Sequence, residues 1–207
     1  MDAHAWDERY AASDLVWSAE PNRFVAEHTA DLPPGTAVDL AAGEGRNALH
    51  LARRGWRVTA VDFSQTGLDK GRAVAGDLPV TWVRADATGW VAPTPVDLVV
   101  VAYLQLPASQ RGAAVRNAFA SLAPGGTLLW VAHDSTNLAE GTGGPQDPAV
   151  LMTAADVLAD LGAEARYDVV AAGRVAREVT ETGHRRDSGD VTVTAWDCLV
   201  RVVRATG

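Results

Sequence analysis

At 207 residues, with 47% apolar and 21% charged, the chain is long enough to bury a core unaided and has a globular balance. A stapled mini-scaffold, a disordered chain and a fibrous repeat are excluded. Eighteen basic against 26 acidic residues give a net charge of −8, and without a long basic run this argues against binding a phosphate backbone as the main task. The lone cysteine, Cys198, has no partner for an intrachain disulfide and no metal-type spacing around it, so a reducing compartment and no structural metal are expected. No apolar stretch reaches about eighteen residues, and MDAHAWDERY lacks the basic-then-apolar order of a leader. A soluble, cytoplasmic protein, monomer or homodimer, with no membrane partner is the expectation.

In chain order, a helix is expected from about Pro21 to Ala30, with Pro21 at its first position, and DLPPGT (Asp31 to Thr36) ends it. Ala37 to Ala41 is a short buried strand, followed by GEGRN and a helix whose apolar face holds Ala48, Leu49, Leu51 and Ala52, stopped by Gly55. Arg57 to Phe63 is a second strand, and Ser64 caps a helix from Gln65 to about Ala75. PVTWVRAD is the third strand. Val96 to Leu104, the most apolar run, is a fourth strand buried on both faces. A helix over Ala108 to Leu122, the turn APGG, and a fifth strand from Gly126 to Asp134 follow. Ser135 to Pro148 is polar and rich in glycine and proline, a candidate lid loop with Asn137 and Gln146 as donors, or a disordered insertion. Thr153 caps a helix to Leu161. Two β-rich runs, Arg166 to Thr180 and Val191 to Arg204, are joined by the turn-like ETGHRRDSGD. Five βα units with a closing hairpin predict an α/β fold: a mostly parallel sheet with helices on both faces and ligands at the carboxyl ends of the strands.

The chemistry-bearing stretch is DLAAGEGRN, Asp39 to Asn47. Gly43 and Gly45 leave the first strand and open a helix, where a ligand can approach bare backbone and free N–H groups. Asp62 ends the second strand about twenty residues on, at the spacing of a ribose-binding carboxylate; a helix-capping role is its ordinary alternative. Asp86 follows the third strand and can accept from an exocyclic amine, or simply serve a turn. Asp39 in the strand and Glu44 between the glycines would repel a pyrophosphate. They suit a ligand carrying an ammonium and a sulfonium, which points to S-adenosyl-L-methionine.

This ensemble resembles class I S-adenosylmethionine-dependent methyltransferases. DLAAGEGRN is similar to their first motif, AVDFS to the ribose motif, RADAT to the adenine motif, and LAPGGTLLWVAHD to the turn and fifth strand. WDERY and WSAEPN further resemble the tellurite-resistance and thiopurine group that acts on small molecules. The resemblance implies a Rossmann-like seven-stranded sheet with a C-terminal antiparallel hairpin in one domain over 1–207. Residues 1–35 would cover the site, 36–134 would bind cofactor, and 135–207 would supply lid, helix and hairpin. The family's usual first glycine is Ala41 here. By the resemblance, Asp39 and the amides around Ala41, Gly43 and Gly45 hold the methionine end, Asp62 the ribose, Phe63 the adenine face, and Asp86 with the Ala87 amide the adenine edge. Tyr103 would lie near the sulfonium, and Trp6, Arg9 and Tyr10 in the N-terminal cover, with Trp17 beside them.

Methyl transfer from a sulfonium needs an in-line nucleophile and no obligatory base. His133 and Asp134, ending the fifth strand, are the candidates for acid–base work; a structural histidine is the alternative. The position after the fourth strand reads VAYL, unlike the Asn-Pro-Pro-Tyr segment of base-modifying relatives, so a small-molecule acceptor and no nucleic acid are expected. Competing readings are a nicotinamide-dependent oxidoreductase and a non-catalytic S-adenosylmethionine-binding module.

Overall fold

A computed structural model describes residues 3–12, 20–181 and 191–206. Trp17 and most of the turn ETGHRRDSGD lie outside the described residues. Five parallel strands carry the middle of the chain: β1 (Thr36–Leu40), β2 (Arg57–Asp62), β3 (Val80–Arg84), β4 (Val96–Ala102) and β5 (Leu122–His133). The hairpin of β6 (Tyr167–Glu181) and β7 (Val191–Arg204) adds antiparallel through β7 onto β5, giving the order β3-β2-β1-β4-β5-β7-β6. The helices are α1 (Ala3–Ala11), α2 (Arg23–Thr29), α3 (Arg46–Arg53), α4 (Gln65–Ala75), α5 (Ala108–Ala120), α6 (Asn137–Glu140) and α7 (Ala154–Leu161).

The central strands are apolar on both faces because each face packs against helices. Val38, Leu40, Val99, Val101, Leu128 and Trp130 point to the side of α5 and α7. Ala37, Leu98, Val100, Leu129 and Val131 point to the side of α2 and α3. Successive strand residues alternate between these faces, so the parity of a position decides which side of the sheet its chemistry serves. The chain runs outward from β1 through β2 to β3, then returns to β4 on the other side. The switch point therefore falls at the carboxyl ends of β1 and β4.

Several local expectations need correction. Asn22, not Pro21, governs the start of α2: its side chain accepts from the amides of Phe24 and Val25 at 2.9 and 3.2 Å, so the helix starts at Arg23. The turn APGG is part of β5, which pairs Leu122 with Val96, slips register, and resumes at Thr127 opposite Leu98. The loop from 135 to 148 holds α6 and a single 3₁₀ turn begins at Pro148. β4 stops at Ala102 because Tyr103 takes a left-handed conformation, φ +61°.

Trp82 on β3 links this scaffold to the first loop. A Cβ at either Gly45 or Gly71 would fall 2.4 Å from its ring, so the glycine in the loop and the glycine in α4 leave the volume that the indole fills. A mid-helix glycine usually gains about 1 kcal/mol on replacement by alanine. At Gly71 the added carbon would also stand 2.6 Å from the backbone oxygen of Glu44. Gly71→Ala is therefore expected to destabilise by about 1–3 kcal/mol, read as a lower urea midpoint at unchanged slope.

Candidate active site

The loop leaving β1 turns through three left-handed residues, Ala41 (φ +62°), Gly43 (+57°) and Gly45 (+76°). For an alanine this conformation costs about 1–2 kcal/mol, so the surrounding structure enforces it. The enforcement is visible. The Ala42 amide donates to Val61 O at 2.9 Å and the Gly45 amide to Ala42 O at 2.9 Å. Gly45 also opens α3 without a side-chain cap of its own, and the Ala48 amide in the first turn donates to Asp39.

Two buried carboxylates stand beneath this loop. Asp39, on the α3 side of β1, accepts from the Ala48 amide through Oδ2 at 2.9 Å, while its buried Oδ1 has no hydrogen-bond partner. Burial outweighs that bond and the pull of Arg46, raising its pKa to about 7. Asp62 ends β2, and its oxygens accept from the Gly43 amide and the Ser64 amide, both at 2.8 Å. Burial raises its pKa as well. The expected ribose residue is thus also the clasp that joins the first loop to the second. The capping and binding alternatives are compatible, because each carboxylate oxygen can accept a second bond.

The amino-terminal helix docks onto the same place. Ser64 Oγ accepts from the Gly67 amide to cap α4 and donates to Asp7 of α1, which also accepts from the Thr66 amide at 3.1 Å. Lys70 donates to the carbonyl of Tyr10 and pairs with Glu44 at 3.5 Å. Tyr10 is buried against Gly67, which in turn lies against Gly43. Trp6 sits 5.5 Å from the Tyr10 ring, with Arg9 over its own ring at 5.0 Å. The three expected cover residues are therefore gathered on one helix beside the loop. Farther along, Phe63 is half-buried and Ala87 is buried in the core. Asp86 is exposed and uses one oxygen to accept from the amide and hydroxyl of Thr88 at 2.8 and 2.7 Å, a turn role.

On the other side of the switch point a second constellation forms. Tyr103 donates its hydroxyl to Asp197 Oδ2 at 2.8 Å, and Arg177 Nε donates to the same oxygen at 2.7 Å. His133 lies opposite Asp197 in the β5–β7 register, its ring 4.8 Å from that of Tyr103. Its Nδ1 is 3.3 Å from Asp197 Oδ1, at an angle short of a hydrogen bond, although the electrostatic pull at that distance stands. Burial alone would raise the pKa of Asp197, but the histidine, arginine and tyrosine around it lower it. Burial and the Asp197 charge push the Tyr103 phenol up, so it stays neutral. Arg46, at the start of α3, has its pKa lowered by burial and lies within electrostatic reach of both Asp39 and Tyr103.

Asp134 does not join His133. Strand parity turns it to the opposite face, where it caps a turn by accepting from the Thr136 amide and hydroxyl at 2.9 and 2.8 Å. There it borders a groove of about 500 Å³ with Thr136, Thr153, Leu158 and Gly173. Asn137 is also structural. Its buried side chain accepts from the Trp196 amide at 2.7 Å and donates to the carbonyls of Thr142 and Gly143, fastening the candidate lid to β7. Gln146 is exposed and donates to Gly144 O. The residues that sequence reasoning missed are Asp197, Arg177 and Arg46. The one signal for Asp197 was a carboxylate inside the apolar run AWDCLV.

Among the described residues no cluster could hold a metal ion, and no helix is long and apolar enough to cross a membrane.

Residues 37–126 match a family model described as a methyltransferase domain. A demethylmenaquinone methyltransferase of Clavibacter sepedonicus is 40% identical over 77 residues, 37% of this chain; the match spans 30% of that relative's length. In structure, the chain is similar to the N-methyltransferase NodS from Bradyrhizobium japonicum WM9 in complex with S-adenosyl-L-homocysteine, with a TM-score of 0.68, 19% identity and 99% of both chains covered. It is also similar to TehB from Haemophilus influenzae, with a TM-score of 0.65, 17% identity, and 87% of this chain and 62% of that one covered. These likenesses show the shared Rossmann-like fold.

The raised pKa of Asp39 gives a stability prediction. The folded protein holds a proton that the unfolded chain releases above about pH 4. The cost of Asp39 is therefore absent at low pH, grows as the pH rises to about 7, and is constant above. Urea unfolding of the wild type and Asp39→Asn is expected to show the wild type losing stability relative to the variant between about pH 4 and pH 8. A flat difference would place the carboxyl in a solvated setting.

Proposed function

We propose that the chain is a class I S-adenosylmethionine-dependent methyltransferase, in keeping with the methyltransferase-domain match over residues 37–126, and that it transfers a methyl group from S-adenosyl-L-methionine to a small-molecule acceptor in the cytoplasm. The observation that carries this reading is the buried, unpartnered Oδ1 of Asp39 beneath a loop of three left-handed residues. An ammonium group at that loop would supply the missing partner and turn a costly buried carboxylate into an ion pair. The Ala41 to Gly45 backbone would hold the adjacent carboxylate, Asp62 the ribose hydroxyls, and Phe63, Asp86 and Ala87 the adenine, with α1 as the cover. Bound S-adenosyl-L-methionine supplies a methyl group on a sulfonium, ready for in-line displacement.

A nicotinamide dinucleotide would set its pyrophosphate against Asp39 and Glu44, and nothing in the site favours it. A nucleic-acid acceptor is disfavoured by the net charge of −8. On the acceptor side, His133 is the proton-accepting group; Tyr103, held neutral, contributes an aromatic wall near the reacting atoms. Asp134 takes no part in this reading.

The test has two arms. Affinity for S-adenosyl-L-homocysteine is expected to rise with pH from about 6 to 8, as Asp39 gives up its proton to meet the ligand's ammonium, and to lose that dependence in Asp39→Asn. Identical profiles would remove Asp39 from the site. Once an acceptor is found in a panel of phenols, amines, thiols and tellurite, His133→Ala is expected to lower the rate by about 10² to 10⁴ with cofactor affinity unchanged. An unchanged kcat would release His133 from the chemistry.

A further inference from the structure

His133 and Asp197 each carry a buried atom without a hydrogen bond, Nδ1 and Oδ1, and these two atoms face one another at 3.3 Å. Asp197 is fully buried, and its other oxygen is already filled by Tyr103 and Arg177. The polar atom that faces Oδ1 is His133 Nδ1, and a small rotation of the imidazole completes the bond. The ring is confined in the remaining directions. One neighbour is the tilted Tyr103 ring; another is Gly144, left-handed at φ +76°, where an added Cβ would fall 3.0–3.1 Å from Nδ1, Cε1 and Cγ. Nδ1 is fully buried, yet the side chain keeps 15% of its surface exposed, so the reachable part of the ring lies away from Asp197. Strand parity puts this dyad on the same face as Asp39, and Arg46 lies within electrostatic reach of Asp39, Tyr103 and Arg177.

We propose that Asp197 is a positioning residue that fixes the His133 proton on Nδ1, leaving Nε2 to take the proton of a neutral O–H acceptor, an alcohol or phenol rather than a ready-made anion. The proposal rests on the methyltransferase reading for its reaction and on this chain's own geometry for the dyad. In the step, the acceptor oxygen forms its bond to the methyl carbon as the carbon–sulfur bond breaks and its electron pair passes to the sulfonium sulfur, leaving a neutral thioether. The acceptor's proton moves to Nε2. The resulting imidazolium is stabilised by Asp197 and then returns the proton to water. Arg177 and Tyr103 hold the carboxylate in place, and Gly144 brings the 135–148 segment over the ring to limit water.

The full chain, labelled with ¹⁵N at histidine, tests the dyad without any assay. Neutral His133 is expected to show the Nδ1–H tautomer in the wild type, and an Nε2–H tautomer would overturn the proposal. Asp197→Asn is expected to shift the population towards Nε2–H and, with a phenol acceptor, to lower the rate by about 10² to 10⁴ while S-adenosyl-L-homocysteine still binds. A folded variant that keeps both tautomer and rate would reduce Asp197 to a structural ion pair. Should the variant not fold, the wild-type spectrum still decides. Failure of S-adenosyl-L-homocysteine to bind the wild type would sink the methyltransferase reading and leave the tautomer result standing, so the two failures are distinguishable.

Discussion

The Asp62 carboxylate, clamped between the amides of Gly43 and Ser64, is the contact on which the shape of the first loop depends. The first loop crosses from β1 to α3 through left-handed backbone that a free chain would avoid. A buried carboxylate accepting two amides offsets that strain, and leaving those amides unsatisfied would cost about 1–3 kcal/mol. The clasp also fixes the start of α4, whose cap Ser64 reaches Asp7 and so seats α1. Loop shape, helix start and amino-terminal cover are one mechanical unit, which rests on Asp62.

Charge is sorted across the switch point. Asp39, Glu44 and Asp62 lie under or beside the first loop, where a cationic ligand end is favoured. Asp197 on the acceptor side is met by Arg177, His133 and Tyr103, which hold it ionised. Arg46 at the head of α3 stands between the two groups. In the proposed reading, a ligand with a positive centre and a reacting methyl would meet anions at one end and His133 at the other.

Much of the scaffold was legible in the sequence because its signals are local. Runs such as VDLVVVA mark strands buried on both faces, Ser64 and Thr153 cap the helices they precede, and the glycines of GEGRN lie where left-handed backbone is required. The acceptor side was half legible. His133 ends β5 as expected, but its partner depends on the antiparallel register of β5 with β7, and Tyr103 meets Asp197 across 94 positions of chain. No local pattern carries that information. Parity misled in the same way: Asp134 is adjacent to His133 in sequence and on the opposite face in the sheet. Asn137 looked like a ligand donor because it sits in a polar loop, yet the β7 backbone claims its side chain.

In the proposed reading, the first loop, with Asp39 and Asp62 beneath it, holds S-adenosyl-L-methionine and its product. Calorimetric titration of the full chain at pH 8 with S-adenosyl-L-homocysteine and, separately, with NADH tests this most directly. Saturable one-to-one binding of S-adenosyl-L-homocysteine and no heat with NADH at equal concentration is expected; binding of NADH with none of S-adenosyl-L-homocysteine would assign the loop to a dinucleotide instead.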